Sequence, residues 1–318
     1  MKLFRNAAVF AACLAAFPAA AQSWPQRNVR FVVAFAPAGP ADVVARIVSP
    51  PLQEKWGQTI VVENRGGGGG NIGAQAVARA EPDGYTVLVT TSAFPVNLTL
   101  FANPGYALSD FKTAAYAATT PDILVRSPTL KYTTLQEIVA AAKTENLSFG
   151  SAGIGTTPQL AGELIFRILA KVDVTHVPFT GAAPAANAVM GGQLPLASLT
   201  VSSAGEFIKT GAMKGVAVMT SKRLPSLPDV PTVEETGIGK VEASTDIFFF
   251  MPAKTPAAVV GKFNADLNEI IKSGALDKAF AAAGVSPATP DQKTADAYVA
   301  EEARKWGEVI KAAGVKAE

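Results

Sequence analysis

The stretch "VVENRGGGGGNIGAQAVARA", residues 61–80, decides which kind of α/β chain this is. Inside it Gly68, Gly70 and Gly73 have the spacing G-x-G-x-x-G, after the apolar run "TIVV" and before an alanine-rich helical pattern. That is the context in which glycines cradle a dinucleotide pyrophosphate. A dinucleotide site also needs an acid at the end of the next strand, to hold the ribose hydroxyls. The next strand, "YTVLVTT" (85–91), carries no carboxylate, and Glu81 and Asp83 fall in the turn before it. The glycines also follow the second strand, whereas the fingerprint belongs to the first. They are read as a flexible strand-to-helix turn, with Asn71 placed to cap the following helix. No cofactor is expected.

Working outward, apolar runs of strand length alternate with helical patterns. "VRFVVAF" (29–35) precedes "ADVVARIVSPPLQEKW" (41–56), "LSFGSA" (147–152) precedes "TPQLAGELIFRILAK" (157–171), and "VTHVPF" (174–179) precedes "GAAPAANAVMGG" (181–192). "LPLASLTV" and "KGVAVMT" flank a further short helix. This rhythm predicts an α/β fold with largely buried strands. Pro50 and Pro51 predict an end or kink of the first helix near Val48. Capping-box spacing at Thr134/Glu137, Thr232/Glu235 and Thr289/Gln292 predicts helix starts, and the last helix is expected over about 290–313.

Lys2 and Arg5, the apolar residues 7–17 and "AAA" (19–21) form the pattern of a secretory signal peptide, residues 1–21. Cys13 is the only cysteine and lies within the apolar core of that signal, so disulfides, thiol chemistry and a lipid anchor are not expected. With 28 basic and 26 acidic residues, two of the cations in the signal, the chain has no electrostatic footprint for nucleic acid.

Two junctions are better binding candidates than the glycine run. They are "FAPAGPAD" (35–42) and "GSAGIGTTPQLAGE" (150–163), where small residues and a helix start follow an apolar strand. Backbone N–H groups and the helix dipole suit such a place to a carboxylate or phosphate, with Ser151, Thr156 and Thr157 adding hydroxyls. From pattern alone a plain capped turn remains the alternative at each. His176 is the single histidine and is read as structural. H-E-x-x-H, C-x-x-C and G-x-S-x-G are absent from the sequence, so no metal site or catalytic residue is assigned, and binding is favoured over catalysis.

The same segments carry a resemblance. "FAPAGPADVVARIV", "WGQTIVVENRGGGGGNIGAQAVARAEPDGYTVL", "SAGIGTTPQLAGEL", "VPFTGAAPAANAVMGGQ" and "LPDVPTVEETG" resemble, in order, the signature segments of the Bug family, the periplasmic solute receptors of tripartite tricarboxylate transporters. The resemblance covers essentially the whole mature chain. It implies a two-lobed, type II periplasmic-binding-protein-like fold, with a mixed sheet in each lobe and a ligand cleft between them. Lobe 1 would comprise residues 22–122 and 247–318, and lobe 2 residues 123–246, with hinges near Pro121-Asp122 and Asp246-Ile247. It further implies a monomeric periplasmic receptor for a small carboxylate, with the membrane components of such a transporter as partners. Delivery to a sensor protein and a secreted α/β enzyme are the alternatives.

Carried over from the family, the ligand would meet Ala38, Gly39, Pro40 through its carbonyl, and Asp42 on the first loop. On the second loop it would meet Ser151, Gly155, Thr156 and Thr157. Thr91, Ser92, Thr180, Gly181 and Ala182 would edge the cleft. By the same analogy Asp42 orders its loop or caps the helix more than it touches an anion. Departures concern specificity. Gln159 stands where His is common, "VPFTG" replaces "VPYKG", and Asn187 stands where Asp is frequent. Asp246, in "STDIFFFMPA" (244–253), stands where many members have Trp. Lining the cleft, it would receive an amine, a hydroxyl or a ring nitrogen; otherwise it is a solvated hinge residue or a helix cap.

Overall fold

The computed structural model describes residues 24–317; the expected signal peptide lies outside the described residues. The first half of the molecule is built from β1 (Val29–Val33), α1 (Pro40–Trp56), β2 (Ile60–Asn64), α2 (Asn71–Ala78), β3 (Thr86–Thr91) and α3 (Ala93–Leu100). β1 pairs parallel with both β2 and β3, the arrangement that right-handed βαβ crossovers produce. β4 (Phe111–Arg126) then runs for 16 residues into the second half. That half contains α4 (Leu135–Ala141), β5 (Leu147–Ser151), α5 (Thr157–Glu163), β6 (Val174–Pro178), α6 (Ala182–Met190), β7 (Leu196–Thr200), α7 (Val201–Lys209) and β8 (Lys214–Val218). β9 (Ser244–Pro252), α8 (Ala257–Lys272), α9 (Asp277–Ala282), β10 (Ser286–Pro287) and α10 (Gln292–Ala313) complete the chain.

The strand order is β2-β1-β3-β9-β4-β7-β5-β6, with β8 and β10 also on β4. β4 therefore belongs to two half-sheets. Phe111 to Pro121 pair antiparallel with β9, while Asp122 to Arg126 pair antiparallel with β7 and β8. Pro121 faces Ser244, and the Asp122 N–H donates to the Ala243 carbonyl at 3.0 Å. The two passages of the chain between the halves thus run side by side. Each half-sheet is mixed, as the expected fold class requires.

Each half has its own core. Phe31, Phe249 and Phe263 stack edge-on and tilted in the first, with centroids 5.4 to 6.1 Å apart. Phe149, Phe166, Leu160 and Ile165 fill the second. α10 serves both. Val299 packs in the first core, whereas Trp306 and Ile310 are buried with the second.

Three local expectations are corrected. α1 passes through Pro50 and Pro51 without a break. The prolines remove N–H groups that would bond Arg46 and Ile47 carbonyls, on a side open to water, while Val44, Ala45, Val48 and Leu52 on the other face are fully buried. Asn71 is not a cap; Gly70 occupies that position. The Asn71 Oδ1 instead accepts from the Asn97 amide and the Tyr106 hydroxyl, both at 3.0 Å. α10 begins at Gln292, because Asp291 accepts from the Thr294 N–H and caps the helix in place of Thr289.

Candidate functional site

At the C-terminal ends of the parallel strands of both halves, strand-to-helix junctions converge on one cavity. Its walls are Phe35, Gly39 and Pro40 after β1, Thr91 at the end of β3, and Ala152, Thr156 and Pro158 around the start of α5. Ala182 at the start of α6, Leu199 and Thr200 at the end of β7, and Thr245 on β9 complete it. The enclosed space is about 20 Å³, enough for about one water molecule. None of the lining residues is charged. Its walls include Thr91, Thr156, Thr200 and Thr245, whose hydroxyls also bond to protein groups, together with the starts of α1, α5, α6 and α7. Helix starts carry unpaired N–H groups and a partial positive charge, so the surroundings favour an anion without a full countercharge.

The first loop is held by Asp42. Its carboxylate accepts the Ala38 N–H at 3.0 Å, the Asn64 amide at 2.9 Å and the Arg46 Nε at 3.0 Å. The Asn64 amide also reaches the Phe35 carbonyl at 3.0 Å, so the end of β2 pins the loop that follows β1. Burial raises the Asp42 pKa, but the Arg46 guanidinium, Ala38 N–H and Asn64 amide outweigh it and hold the carboxyl below its usual range. Asp42 therefore orders the loop. Ala38, with φ +63°, is exposed, and its N–H is already used by Asp42. Of the first-loop residues expected at the ligand, the structure brings Gly39 and Pro40 to the cavity and leaves Ala38 and Asp42 outside it.

The second loop ties itself down in the same way. The Thr156 hydroxyl donates to the Gly153 carbonyl at 2.8 Å, and the Gly155 N–H donates to Gln159 Oε1 at 2.8 Å. The Ser151 hydroxyl lies 2.7 Å from His176 Nε2 and also accepts the Gly153 N–H at 3.2 Å, so it points into the loop. Burial, with the nearby Arg167 charge, pushes the His176 pKa down to about 4. It is a neutral structural partner of Ser151 at neutral pH. The Thr157 hydroxyl lies 2.6 Å from that of Thr245, one layer behind the wall. Of this loop, Thr156 lines the cavity; Ser151, Gly155 and Thr157 support it.

Ala182 and Thr91 also reach the cavity, whereas Ser92 does not. Ser92 is hydrogen-bonded to the backbone of Asp246, its N–H donating to the Asp246 carbonyl at 3.0 Å. Thr180 is exposed, and Gly181 presses against the first loop: a Cβ there would lie 2.6 Å from that of Ala36. Asp246 is corrected on both of its readings. It is fully buried, so it is not a solvated hinge residue, and it turns away from the cavity to accept the Tyr116 hydroxyl at 2.9 Å. Its neighbour Thr245 takes the cavity side, because successive strand residues face opposite ways.

Sequence reasoning missed Phe35, Ala152, Pro158, Leu199, Thr200 and Thr245 as wall residues. Thr200 had a signal, since "LPLASLTV" also ends at a helix start. Thr245 had none beyond the parity of a strand whose register was unknown.

The glycine run forms a second close contact between the halves. A Cβ on Gly69, at φ +63°, would lie 2.2 Å from the Ile154 carbonyl oxygen. One on Gly155, at φ +80°, would lie 2.0 Å from Asn97 Oδ1. Asn97 also donates to the Gly69 carbonyl at 2.8 Å, so the residue that crowds Gly155 is held by the glycine run.

The family described as tripartite tricarboxylate transporter family receptor matches residues 44–315. Protein BugT of Bordetella pertussis is 32% identical over 95% of this chain and 94% of its own. Among solved structures, an R. palustris protein with adipate superposes with a TM-score of 0.88 at 29% identity, covering 92% of this chain and 99% of that one. MatC from Rhodopseudomonas palustris with bound malate gives 0.85 at 30% identity, covering 90% and 100%.

Proposed function

This chain belongs to the tripartite tricarboxylate transporter family receptors, and from that premise we propose that its cavity takes one carboxylate of a small dicarboxylic acid. The expected resemblance and the two-lobed α/β fold are borne out. Proteins of this family are solute receptors, and a solved relative is a periplasmic binding protein. The observation that carries the ligand class is the cavity itself, walled by helix starts and four threonines with no charged side chain among its lining residues. Adipate and malate on two relatives support the same class.

Gly39, Pro40, Thr91, Thr156, Ala182, Thr200 and Thr245 would meet the ligand in this reading. Residues 22–122 with 247–318 would close against 123–246, hinged where β4 and β9 lie side by side. A ligand that touches both halves selects the closed form, because only that form makes every contact. The protein would act in the periplasm as a monomer, deliver its ligand to the membrane components of the transporter, and catalyse nothing.

The test is thermal unfolding after denaturation and refolding, which removes any ligand retained in purification. Dicarboxylates, aromatic acids and amino acids are added in turn. A ligand at 100 times its Kd adds about 2.7 kcal/mol, which raises Tm by several degrees. Malate or adipate should do so; a panel in which no acid moves Tm contradicts the reading.

A further inference from the structure

The Thr245 hydroxyl connects the cavity to a buried acid. Its Oγ1 lies 2.6 Å from Thr157 Oγ1 and 2.8 Å from Asp122 Oδ1. Asp122 is fully buried on β4, where that strand passes between the half-sheets, and its Oδ2 has no protein partner. The charged groups acting on it are both acids, Asp246 from β9 and Glu302 from α10. Lys305 on α10 reaches the far side of the group, 3.9 Å from Glu302, and α5 supplies the Thr157 hydroxyl. No cation pairs with Asp122 among the described residues.

We propose that Asp122 holds a proton when the cavity holds its anion, and that this proton makes Thr245 a hydrogen-bond donor to the ligand. The proposal rests on the reading of the cavity as a carboxylate site. Three groups form the chain, and its direction decides what the cavity sees. With Asp122 ionised, the Thr245 O–H is committed to Oδ1 and the Thr157 O–H to Thr245. Thr245 then shows the ligand only lone pairs, which repel a carboxylate. With Asp122 protonated, its O–H donates to Thr245 Oγ1, and the Thr245 O–H is released toward the cavity. Thr157 still donates to Thr245, so Thr245 Oγ1 accepts two hydrogen bonds and donates one.

Burial favours the same state. It raises the Asp122 pKa well above the usual range; the Thr245 and Thr157 hydrogen bonds oppose this, while Asp246 and Glu302 add to it. By linkage, an anion that accepts from Thr245 raises the Asp122 pKa further, and protonation of Asp122 tightens the anion. Asp122 is a positioning residue: it acts through Thr245 and does not touch the ligand.

Infrared difference spectroscopy on the refolded protein at neutral pH tests this, with malate and adipate as probes and binding measured on the same samples. Both diacids are ionised there, so protonated-carboxyl absorption comes from the protein. We expect such a C=O band, shifted by the ligand and missing from Asp122→Asn, which keeps its affinity because its amide can donate to Thr245. Thr245→Val should bind about tenfold more weakly, with its Asp122 band indifferent to ligand. The same Thr245→Val comparison decides the matter if Asp122→Asn does not fold. A band unmoved by bound ligand, or no band lost in Asp122→Asn, overturns the inference alone. Failure of both acids to bind the wild-type protein overturns it together with the functional reading.

Discussion

At the scale of single residues, Asp42 and His176 carry measurable consequences. Asp42→Ala removes the acceptor for the Ala38 N–H and the Asn64 amide, which should cost about 2 kcal/mol of stability, roughly one charged hydrogen bond. Denaturant unfolding reads this as a lower midpoint, and binding should weaken with it because the first loop loses its anchor. The Asp42 pKa is lowered on folding. Its contribution is therefore complete above the ordinary aspartate value of about 3.9 and is lost as the pH falls through the lower folded value. His176 is lowered too, to about 4, against about 6.5 in an unfolded chain. It stabilises the fold above that upper value and ceases to as the pH falls toward the lower one. Comparing Tm across this window in the wild type and His176→Gln isolates the effect; parallel curves contradict it. The structural role of His176 was legible from residue type and place, and the loop-ordering role of Asp42 from the family resemblance. Asp246 was not, since a one-residue change of strand parity exchanges it with Thr245.

At the scale of elements, the glycine run and α10 give the sharpest tests. Gly69 and Gly155 leave no space for a methyl group because the opposite half lies against them. Gly69→Ala should cost about 1 kcal/mol of stability from its left-handed backbone. Its affinity loss should be larger, about tenfold or more, 1.4 kcal/mol in binding, because the added methyl holds the halves apart. Equal losses in a matched Gly57→Ala control, also at positive φ but with nothing within 4 Å, would contradict this. Trp306→Ala in α10 should cost about 3–5 kcal/mol as a core truncation, read by denaturant unfolding, although its helix begins on the first core. Most of the strand and helix succession was readable in the sequence from apolar periodicity and capping residues. The capping box at Thr232/Glu235 opens a turn and no helix, and α3 and the long β4 were not readable in this way. The passage of α1 through two prolines was not, because it depends on which face of the helix meets water. Nor was the division of α10 between cores, since one apolar face reads alike over either partner.

At the scale of the whole molecule, βαβ units leave their junction loops at the same end of each half-sheet, and β4 and β9 bring those ends together. This is why pattern alone could nominate the loops "FAPAGPAD" and "GSAGIGTT". It could not say which atoms point inward, because loop side chains here mostly satisfy their own backbone. Selectivity would then come from hydroxyl direction and helix ends, with little contribution from formal charge. Affinity should accordingly vary little with salt, since no exposed ion pair is made on binding; calorimetry at low and high ionic strength checks this. The most direct test of the central claim is a calorimetric titration of the refolded protein with malate and adipate, in wild type and Thr200→Val. One-to-one binding of at least one acid, about tenfold weaker in the variant as expected for a lost hydrogen bond to a charged group, is the predicted result. Absence of binding, or full-strength binding in Thr200→Val, would contradict it.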